Sequence, residues 1–376
     1  METSEQLTEG AVQAPDLAEV AGRPGPFLSL YLNTERDVQN AAQRSETRWK
    51  AARSDLDGTG VPGDVLEAID GLVPDAHLEG ECLAVIADRE RVLHVEHGTA
   101  VDPNDLATWA PLPRLGPILE WRQSEPPYVV VLTDRTGADL FGFVRGLPDA
   151  IRGEVEGEHD EIRKVAPGGW SQRRFQDRAE DSWRENAEQV GDRVARLVER
   201  TGAELVIVAG DVRAVELLRK SLPDRVAELV HVVEGERPWS GKGDPLPEET
   251  RDLVERHVRE TTERLVARFE EERGQRDKAV EGLEATTKAL QRAQVATLLV
   301  AAEADEDRRS WFGPEPTLVA TTDRELKELG VDSPEEGAAT DALVRAALGT
   351  GAGVRVLDEG ERLRDRVGAL LRWTSG

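Results

Sequence analysis

The chain has 376 residues, 39% of them hydrophobic, and a formal net charge of −26 at pH 7. Because single hydrophobic cores usually stop growing at about 250 to 300 residues, this length predicts two or three domains. The charge excludes a general nucleic-acid coat protein, since such proteins use cations to displace counterions from phosphates. Any contact with RNA is therefore expected to be local.

Further composition features exclude several other classes of protein. No run approaches the roughly 18 apolar residues of a membrane span, and the first ten residues, METSEQLTEG, lack a basic or apolar signal stretch, so we expect a cytoplasmic protein without a membrane partner. Cys82 is the only cysteine, which excludes an intramolecular disulfide and a cysteine-cluster zinc site. His94 and His97 are predicted to lie on opposite faces of a strand, so we expect neither metal nor cofactor.

The first predicted domain, residues 1–126, combines strands, helices and a hairpin. Its apolar alternation predicts strands at 26–33, 81–87 and 91–96 and helices at 38–56 and 62–73. Cys82 lies in the second of these strands and is expected to be a buried apolar thiol. Six prolines between residues 102 and 127 predict an extended crossover at the end of the domain.

The central domain is predicted over residues 127–238. Strands at 128–133 and 138–144 flank a turn that contains Gly137 and predict a hairpin. Apolar residues then recur at three- and four-residue spacing from Phe175 to Val198, which is the stripe of a long amphipathic helix. A strand at 205–209, a helix at 212–222 and a strand at 229–233 follow. This alternation predicts a mixed α/β sheet.

The third predicted domain, residues 239–376, begins after a linker at 238–247. Helices are predicted at 248–273, 278–293, 323–329 and 338–347, and strands at 296–301, 317–321 and 354–357. The glycine trio Gly349, Gly351 and Gly353 superficially matches a dinucleotide-binding motif. Because it follows a helix and opens a strand, the reverse of the required order, we reject nucleotide binding. The whole chain is predicted to be α/β, with a mixed sheet and packed helices in each domain.

The most informative stretch joins a glycine pair to the start of the long central helix. It reads PGGWSQRRFQDR from Pro167 to Arg178. Between residues 163 and 178 five basic residues stand against Asp177, a local charge of +4 in an acidic chain; they are Arg163, Lys164, Arg173, Arg174 and Arg178. Such a cluster suits RNA phosphates, although basic clusters are more often a solvated helix face.

This stretch resembles the loop of archaeal and eukaryotic class-I release factors. Those proteins carry Gly-Gly-Gln, then Ser, an Arg-Phe pair and a charged helix, and Gly168, Gly169, Ser171, Arg174, Phe175 and Glu180 match that pattern. Together with the segment KALQRAQVATLLVA and the ending GALLRW, the chain is similar to the release factor and Pelota superfamily. Within it, the bacterial branch that includes the hibernation factor Balon is the most similar.

The resemblance implies a protein that enters the ribosomal A site. Its first domain would face the decoding centre, its central loop the peptidyl transferase centre, and its third domain elongation factor Tu or another translational GTPase. Trp170 occupies the position of the glutamine that places the attacking water. Since an indole cannot place water in that way, we expect a non-catalytic factor of ribosome hibernation or rescue, acting as a monomer. Its expected rRNA or tRNA contacts are Gly168, Gly169, Trp170, Ser171, Gln172, Arg173, Arg174, Arg178, Arg163 and Lys164.

Two alternatives stay open at this point. The first is a peptidyl-tRNA hydrolase or a tRNA or rRNA nuclease that uses the same loop, with Gln172 or His159 in the chemistry. The second is a stress-related protein-interaction scaffold that docks through its acidic third domain. Ester hydrolysis or RNA cleavage by the purified protein favours the first, and absence from ribosomes favours the second.

Overall fold

A computed structural model describes ten segments of the chain, and of residues 170–182 it describes the helical backbone alone. The segments are 8–34, 40–98, 105–134, 136–144, 150–156, 170–235, 247–275, 277–302, 308–357 and 363–373. The predicted α/β class is confirmed by the helices and sheets of these segments. The chain divides into two compact units: Met1–Ser124 with Arg259–Gly376, and Glu125–Val258. The division into three domains at the predicted boundaries stays a prediction.

The first sheet is antiparallel and lies at the centre of the amino-terminal part of the chain. Its strands, in the order β3-β2-β1-β4, are β1 (Phe27–Asn33), β2 (Cys82–Ala87), β3 (Val92–Gly98) and β4 (Leu106–Ala110). The accompanying helices are α1 (Pro15–Ala21), α2 (Ala41–Asp55), α3 (Gly63–Leu72), α4 (Ala76–Glu79) and α5 (Gly116–Ser124), with a 3-10 turn at Val73–Asp75. Alternate residues of β1 point to opposite faces, so Leu30 packs with Trp49 of α2 while Phe27 and Tyr31 enter a second core. Cys82 is buried as predicted.

The predicted extended crossover at 102–127 was wrong, because this stretch contains strand β4 and helix α5. The prolines border these elements instead of interrupting them. Pro111 follows the last residue of β4, and Pro117 lies in the first turn of α5, where its missing N–H is not needed.

The second unit is built on a five-stranded mixed sheet in the order β7-β6-β5-β8-β9. Its strands are β5 (Tyr128–Thr133), β6 (Gly137–Phe143), β7 (Ile151–Glu156), β8 (Leu205–Gly210) and β9 (Val230–Val232). Its helices are α6 (Trp170–Thr201), α7 (Val212–Ser221) and α8 (Asp224–Ala227). The hairpin of β5 and β6 confirms the prediction, and the Asp134 carboxylate accepts a hydrogen bond from Gly137 N at 2.9 Å across its turn.

The carboxy-terminal part contains two sheets. The larger one, ordered β10-β16-β11-β15, is formed by β10 (Ala279–Glu281), β11 (Val295–Ala301), β15 (Gly353–Leu357) and β16 (Val367–Leu371). The smaller one, ordered β13-β12-β14, is formed by β12 (Arg309–Phe312), β13 (Val319–Ala320) and β14 (Glu335–Ala338). The helices are α9 (Pro247–Gln275), α10 (Leu283–Gln291), α11 (Asp323–Glu328) and α12 (Ala339–Gly349), with a 3-10 turn at Arg364–Arg366. Every residue of β11 is buried, which confirms a central strand.

The helix predicted at 278–293 begins only at Leu283, and that prediction was wrong for its first turn. Gly282 has a φ of 91°, a left-handed conformation that ends a strand and that residues other than glycine adopt at a cost. Ala279–Glu281 before it pair with β16.

The amino- and carboxy-terminal parts share one hydrophobic core, which contains Phe27, Tyr31, Leu298 and Val354. Backbone hydrogen bonds connect Val12 to Val354 at 2.8 and 3.1 Å. The Gln123 side-chain amide forms a second connection. It donates a hydrogen bond to Val356 O at 2.7 Å and accepts one from Val356 N at 2.9 Å. The two ends of the sequence therefore form a single unit.

A buried ion network fixes helix α5 in this unit. The Arg122 guanidinium donates to the Glu96 carboxylate at 2.7 Å and to that of Asp16 at 2.5 Å, and His94 lies 2.9 Å from Glu96. Burial raises the pKa of the Glu96 carboxyl, but hydrogen bonds from His94 and Arg122 outweigh burial and hold its pKa below the usual 4.5. The hydrogen bond from Arg122 likewise lowers the pKa of Asp16. These charges satisfy one another, which is typical of a structural network.

Candidate nucleic-acid interface

The long helix α6 begins at the predicted contact segment. It starts at Trp170, so Trp170, Ser171 and Gln172 lie in its first turn, although they were predicted in a loop before the helix. The segment from Trp170 to Arg178 contains no glycine or proline that would weaken a helix. The first such residues on its amino-terminal side are Gly168 and Gly169.

The structure places only some of the predicted contact residues. Arg163, Lys164, Gly168 and Gly169 lie outside the described residues, as does His159 of the hydrolase alternative. The others lie on the described backbone of the first turns of α6; they are Trp170, Ser171, Gln172, Arg173, Arg174 and Arg178. Which of these side chains come together stays a prediction.

The second half of α6 is fixed firmly on the sheet of its unit. Val190 and Val194 are buried in the core that α6 forms with β5 and β6, as their helical spacing predicts. The hydroxyl of Ser221 at the end of α7 donates to Ala187 O at 2.9 Å. Trp183 is half-buried, and the Arg213 guanidinium lies 5.3 Å from its ring centroid. The helix is therefore a rigid support for whatever its exposed side presents.

That exposed side carries a row of arginines that the sequence analysis missed. Arg193, Arg196 and Arg200 are exposed, and at 3.6 residues per turn they fall within about 60° of one another around the helix. With Leu197, Glu199 and the β6–β7 edge they line a groove of about 460 Å³. We call this surface the arginine groove and define it by Arg193, Arg196 and Arg200.

The floor and far side of the arginine groove come from the edge of the sheet. Leu140 of β6 is buried, and its register partner is Gly153 of β7, which has no side chain to fill the space. Arg152 also lines the groove, but its guanidinium lies 5.7 Å from the ring centroid of Phe141. The groove therefore has an open backbone edge on one side and the arginine row on the other.

The arginines of the groove are not paired with acids in the described part of the chain, although Asp192 and Glu199 lie on the adjacent stripe of α6. Among the described residues, Arg193, Arg196 and Arg200 make no ion pair or hydrogen bond. Glu199 also lines the groove. Three guanidinium groups beside one carboxylate leave a local positive surface, and guanidinium groups bind phosphate through two parallel hydrogen bonds.

No cluster of three or more His, Cys, Asp or Glu residues that could hold a metal ion occurs among the described residues. His94 is paired with Glu96, as described above. No helix in the described part of the chain is long and apolar enough to cross a membrane.

Comparison with known proteins identifies related sequences. Residues 127–275 match the model of bacterial archaeo-eukaryotic release factor family 2. This segment contains the Gly168-Gly169 pair, all of α6 and the arginine groove. This match confirms the predicted resemblance to release factors over residues 127–275.

The chain is also similar to a protein of Mycobacterium tuberculosis. The uncharacterized proteins MT2704 and Rv2629, from two strains, are each 29% identical to it over 357 residues, covering 93% of this chain and 94% of theirs. The similarity therefore extends along nearly the whole chain, beyond the segment that the family model matches.

Among solved structures, the archaeal translation termination factor aRF1 is 15% identical over 99% of both chains, with a TM-score of 0.26. Archaeoglobus fulgidus Pelota is 18% identical over 78% of this chain and 80% of its own, with a TM-score of 0.29. A model of ribosome-bound archaeal Pelota and ABCE1 is 15% identical over 100% of this chain and 95% of the other, with a TM-score of 0.41. Scores below 0.5 do not establish a common arrangement of the whole chain.

Proposed function

We infer that this protein is a non-catalytic, Balon-like factor that enters the ribosomal A site in hibernation or rescue. Its residues 127–275 match a bacterial family of archaeo-eukaryotic release factors. The family match supports a release-factor-like role. The observation that carries the finer proposal is Trp170, which stands where release factors have their glutamine.

The chemistry of the segment supports binding in place of hydrolysis. An indole has one N–H donor and no acceptor, so unlike a glutamine amide it cannot accept a hydrogen bond from an attacking water. It does have a large face on which a base can stack. The proposed role of Trp170 is therefore to occupy the peptidyl transferase centre, while Gly168 and Gly169 allow the chain to approach the RNA closely.

The basic residues of the segment provide the electrostatic part of the proposed interaction. Arg173, Arg174 and Arg178 follow Trp170 on the first turns of α6, where the helix N-terminus also favours anions. In a chain of net charge −26 these cations are needed for RNA to approach this end of the helix.

The test is co-sedimentation of the purified protein with vacant 70S ribosomes, followed by cryo-EM of the ribosomal peak. Arg173→Glu with Arg174→Glu is expected to abolish co-sedimentation. Trp170→Ala is expected to weaken it by about fivefold, the lower end of the effect of losing one stacked base. Arg251→Glu with Arg256→Glu, exposed residues of α9, makes the same charge change elsewhere and is expected to leave co-sedimentation intact.

Three results would contradict the proposal. Unchanged co-sedimentation of the Arg173 and Arg174 variant would refute the site. Release of labelled peptide from peptidyl-tRNA on ribosomes, lost in Gln172→Ala, would show a hydrolase. Failure of the unaltered protein to bind ribosomes from growing or starved cells would favour a scaffold. A contact between residues 239–376 and a translational GTPase stays a prediction, which the same cryo-EM maps test when elongation factor Tu is added.

A further inference from the structure

We propose that the arginine groove is a second RNA site, which binds the sugar–phosphate backbone. It is separate from the segment around Trp170, because Arg196 follows Arg178 by 18 residues, about 27 Å at 1.5 Å per residue. The proposal depends on the proposed function only for the choice of RNA as the ligand. The groove itself is defined by described side chains.

The geometry of the groove suits a linear polyanion. Arg193, Arg196 and Arg200 extend for seven residues along α6, about 10 Å, and therefore form a row of cations instead of a single point. None of the three is committed to a partner among the described residues. Because Gly153 contributes no side chain, a phosphate backbone can lie between this row and the sheet edge.

The spacing of the helix places the two sites along one face. Eighteen residues are five turns of an α-helix, so Arg178 and Arg196 lie at the same angle around the axis of α6. Glu185 and Asp192 lie near the same angle between these two positions, so a bound RNA would contact the two sites as separate segments. An extended acidic peptide presents alternate carboxylates about 6.6 Å apart, a similar row of charges. The choice of RNA therefore rests on the proposed function, and competition with polyglutamate tests it.

The test measures binding of fluorescein-labelled deacylated tRNA to the full chain by fluorescence anisotropy. The groove variant combines Arg193→Glu, Arg196→Glu and Arg200→Glu. We expect its dissociation constant to rise about 10- to 100-fold. The slope of log association constant against log salt concentration should become less negative by about 2 to 3, which corresponds to the loss of three phosphate contacts.

A matched control separates this site from the overall charge of the protein. Arg251→Glu, Arg256→Glu and Arg259→Glu change three exposed residues of α9 and give the same net charge. We expect a loss of no more than about threefold, from long-range repulsion. A second variant replaces Arg193, Arg196 and Arg200 by glutamine, which removes the positive charges without adding negative ones. Its dissociation constant for tRNA is also expected to rise, and circular dichroism checks that it is folded.

Several results overturn the proposal. They are equal losses in the groove and control triples, no tRNA binding by the parent chain at 50 mM salt, or displacement of tRNA by polyglutamate as effectively as by unlabelled RNA. The two proposals fail separately. If only the groove triple loses tRNA while the Arg173 and Arg174 variant still sediments with ribosomes, the arginine groove stands and the site proposed around Trp170 is wrong; the opposite pair of results reverses this conclusion.

Discussion

Replacement of Arg122 by methionine is the most direct test of how the amino-terminal part of the large unit is held together. Arg122 is 8% exposed and binds both Glu96 and Asp16. Methionine keeps most of the apolar stem and removes the charge, so the buried Glu96 carboxylate loses its counterion. Breaking a buried pair from one side costs about 3–5 kcal/mol.

The pH dependence provides the sharper signature of this change. The folded-state pKa of Glu96 lies below 4.5, so its ionised form contributes stability above pH 4.5 that is lost as the pH falls through the folded-state pKa. In the Arg122→Met protein burial remains without the guanidinium, and the pKa of Glu96 rises. The difference in unfolding free energy between the two proteins is therefore expected to be largest near pH 7 and to shrink below pH 4.5.

Differential scanning calorimetry measures the effect. The unit of Met1–Ser124 and Arg259–Gly376 has about 240 residues. At about 2–4 °C for each kcal/mol in a domain of this size, its melting temperature should fall by roughly 6–20 °C. Asp16→Asn is the control, because the Asp16 side chain is 49% exposed and its loss should cost no more than about 1 kcal/mol.

The double variant Arg122→Met with Glu96→Gln removes the uncompensated charge and should recover part of the loss. The reasoning is refuted if Arg122→Met costs less than about 1 kcal/mol at pH 7, or if its cost is the same at pH 4 and pH 7.

Two further predictions concern the join between the ends of the sequence. Gln123→Ala leaves the N–H and C=O of Val356 without their partner and should cost about 1–3 kcal/mol in urea unfolding, whereas Gln43→Ala, an exposed control, should cost almost nothing. Gly353→Val places a Cβ 2.6 Å from the Cβ of Ala11, so it should displace the segment around Ala11 at a cost of about 1–3 kcal/mol. Limited proteolysis should then cut this segment, and an unchanged digestion pattern argues against the contact.

The strands that the sequence predicts are those whose own residues are strongly apolar. β5 and β11 are buried on both faces and read as continuous apolar runs. β7 and β14, with the sequences IRGEVE and EEGA, carry no such pattern and owe their conformation to pairing with β6 and β12. A strand whose conformation depends on pairing with its neighbour cannot be predicted from its own residues.

The join of the two ends was also beyond sequence analysis. It rests on a shared core and on isolated contacts, such as that of the Gln123 amide with the backbone of Val356, 233 positions away. Periodicity reports which face of an element is buried but not which distant element covers it. The family resemblance was readable because its residues are consecutive, from Gly168 to Phe175.

The arginine groove shows why a count of charge along the chain finds one basic site and overlooks another. Residues 163–178 sum to +4, but residues 184–201 contain four arginines and four acidic residues and sum to zero. In the helix most of these charges are segregated. Arg193, Arg196 and Arg200 share one stripe, Glu188, Asp192 and Glu199 follow the adjacent one, and Glu185 lies between the two. An acidic protein that binds RNA needs such segregation, because its remaining surface repels phosphates. The surplus acid then restricts the orientation of the ligand, since RNA gains energy only along the arginine stripe.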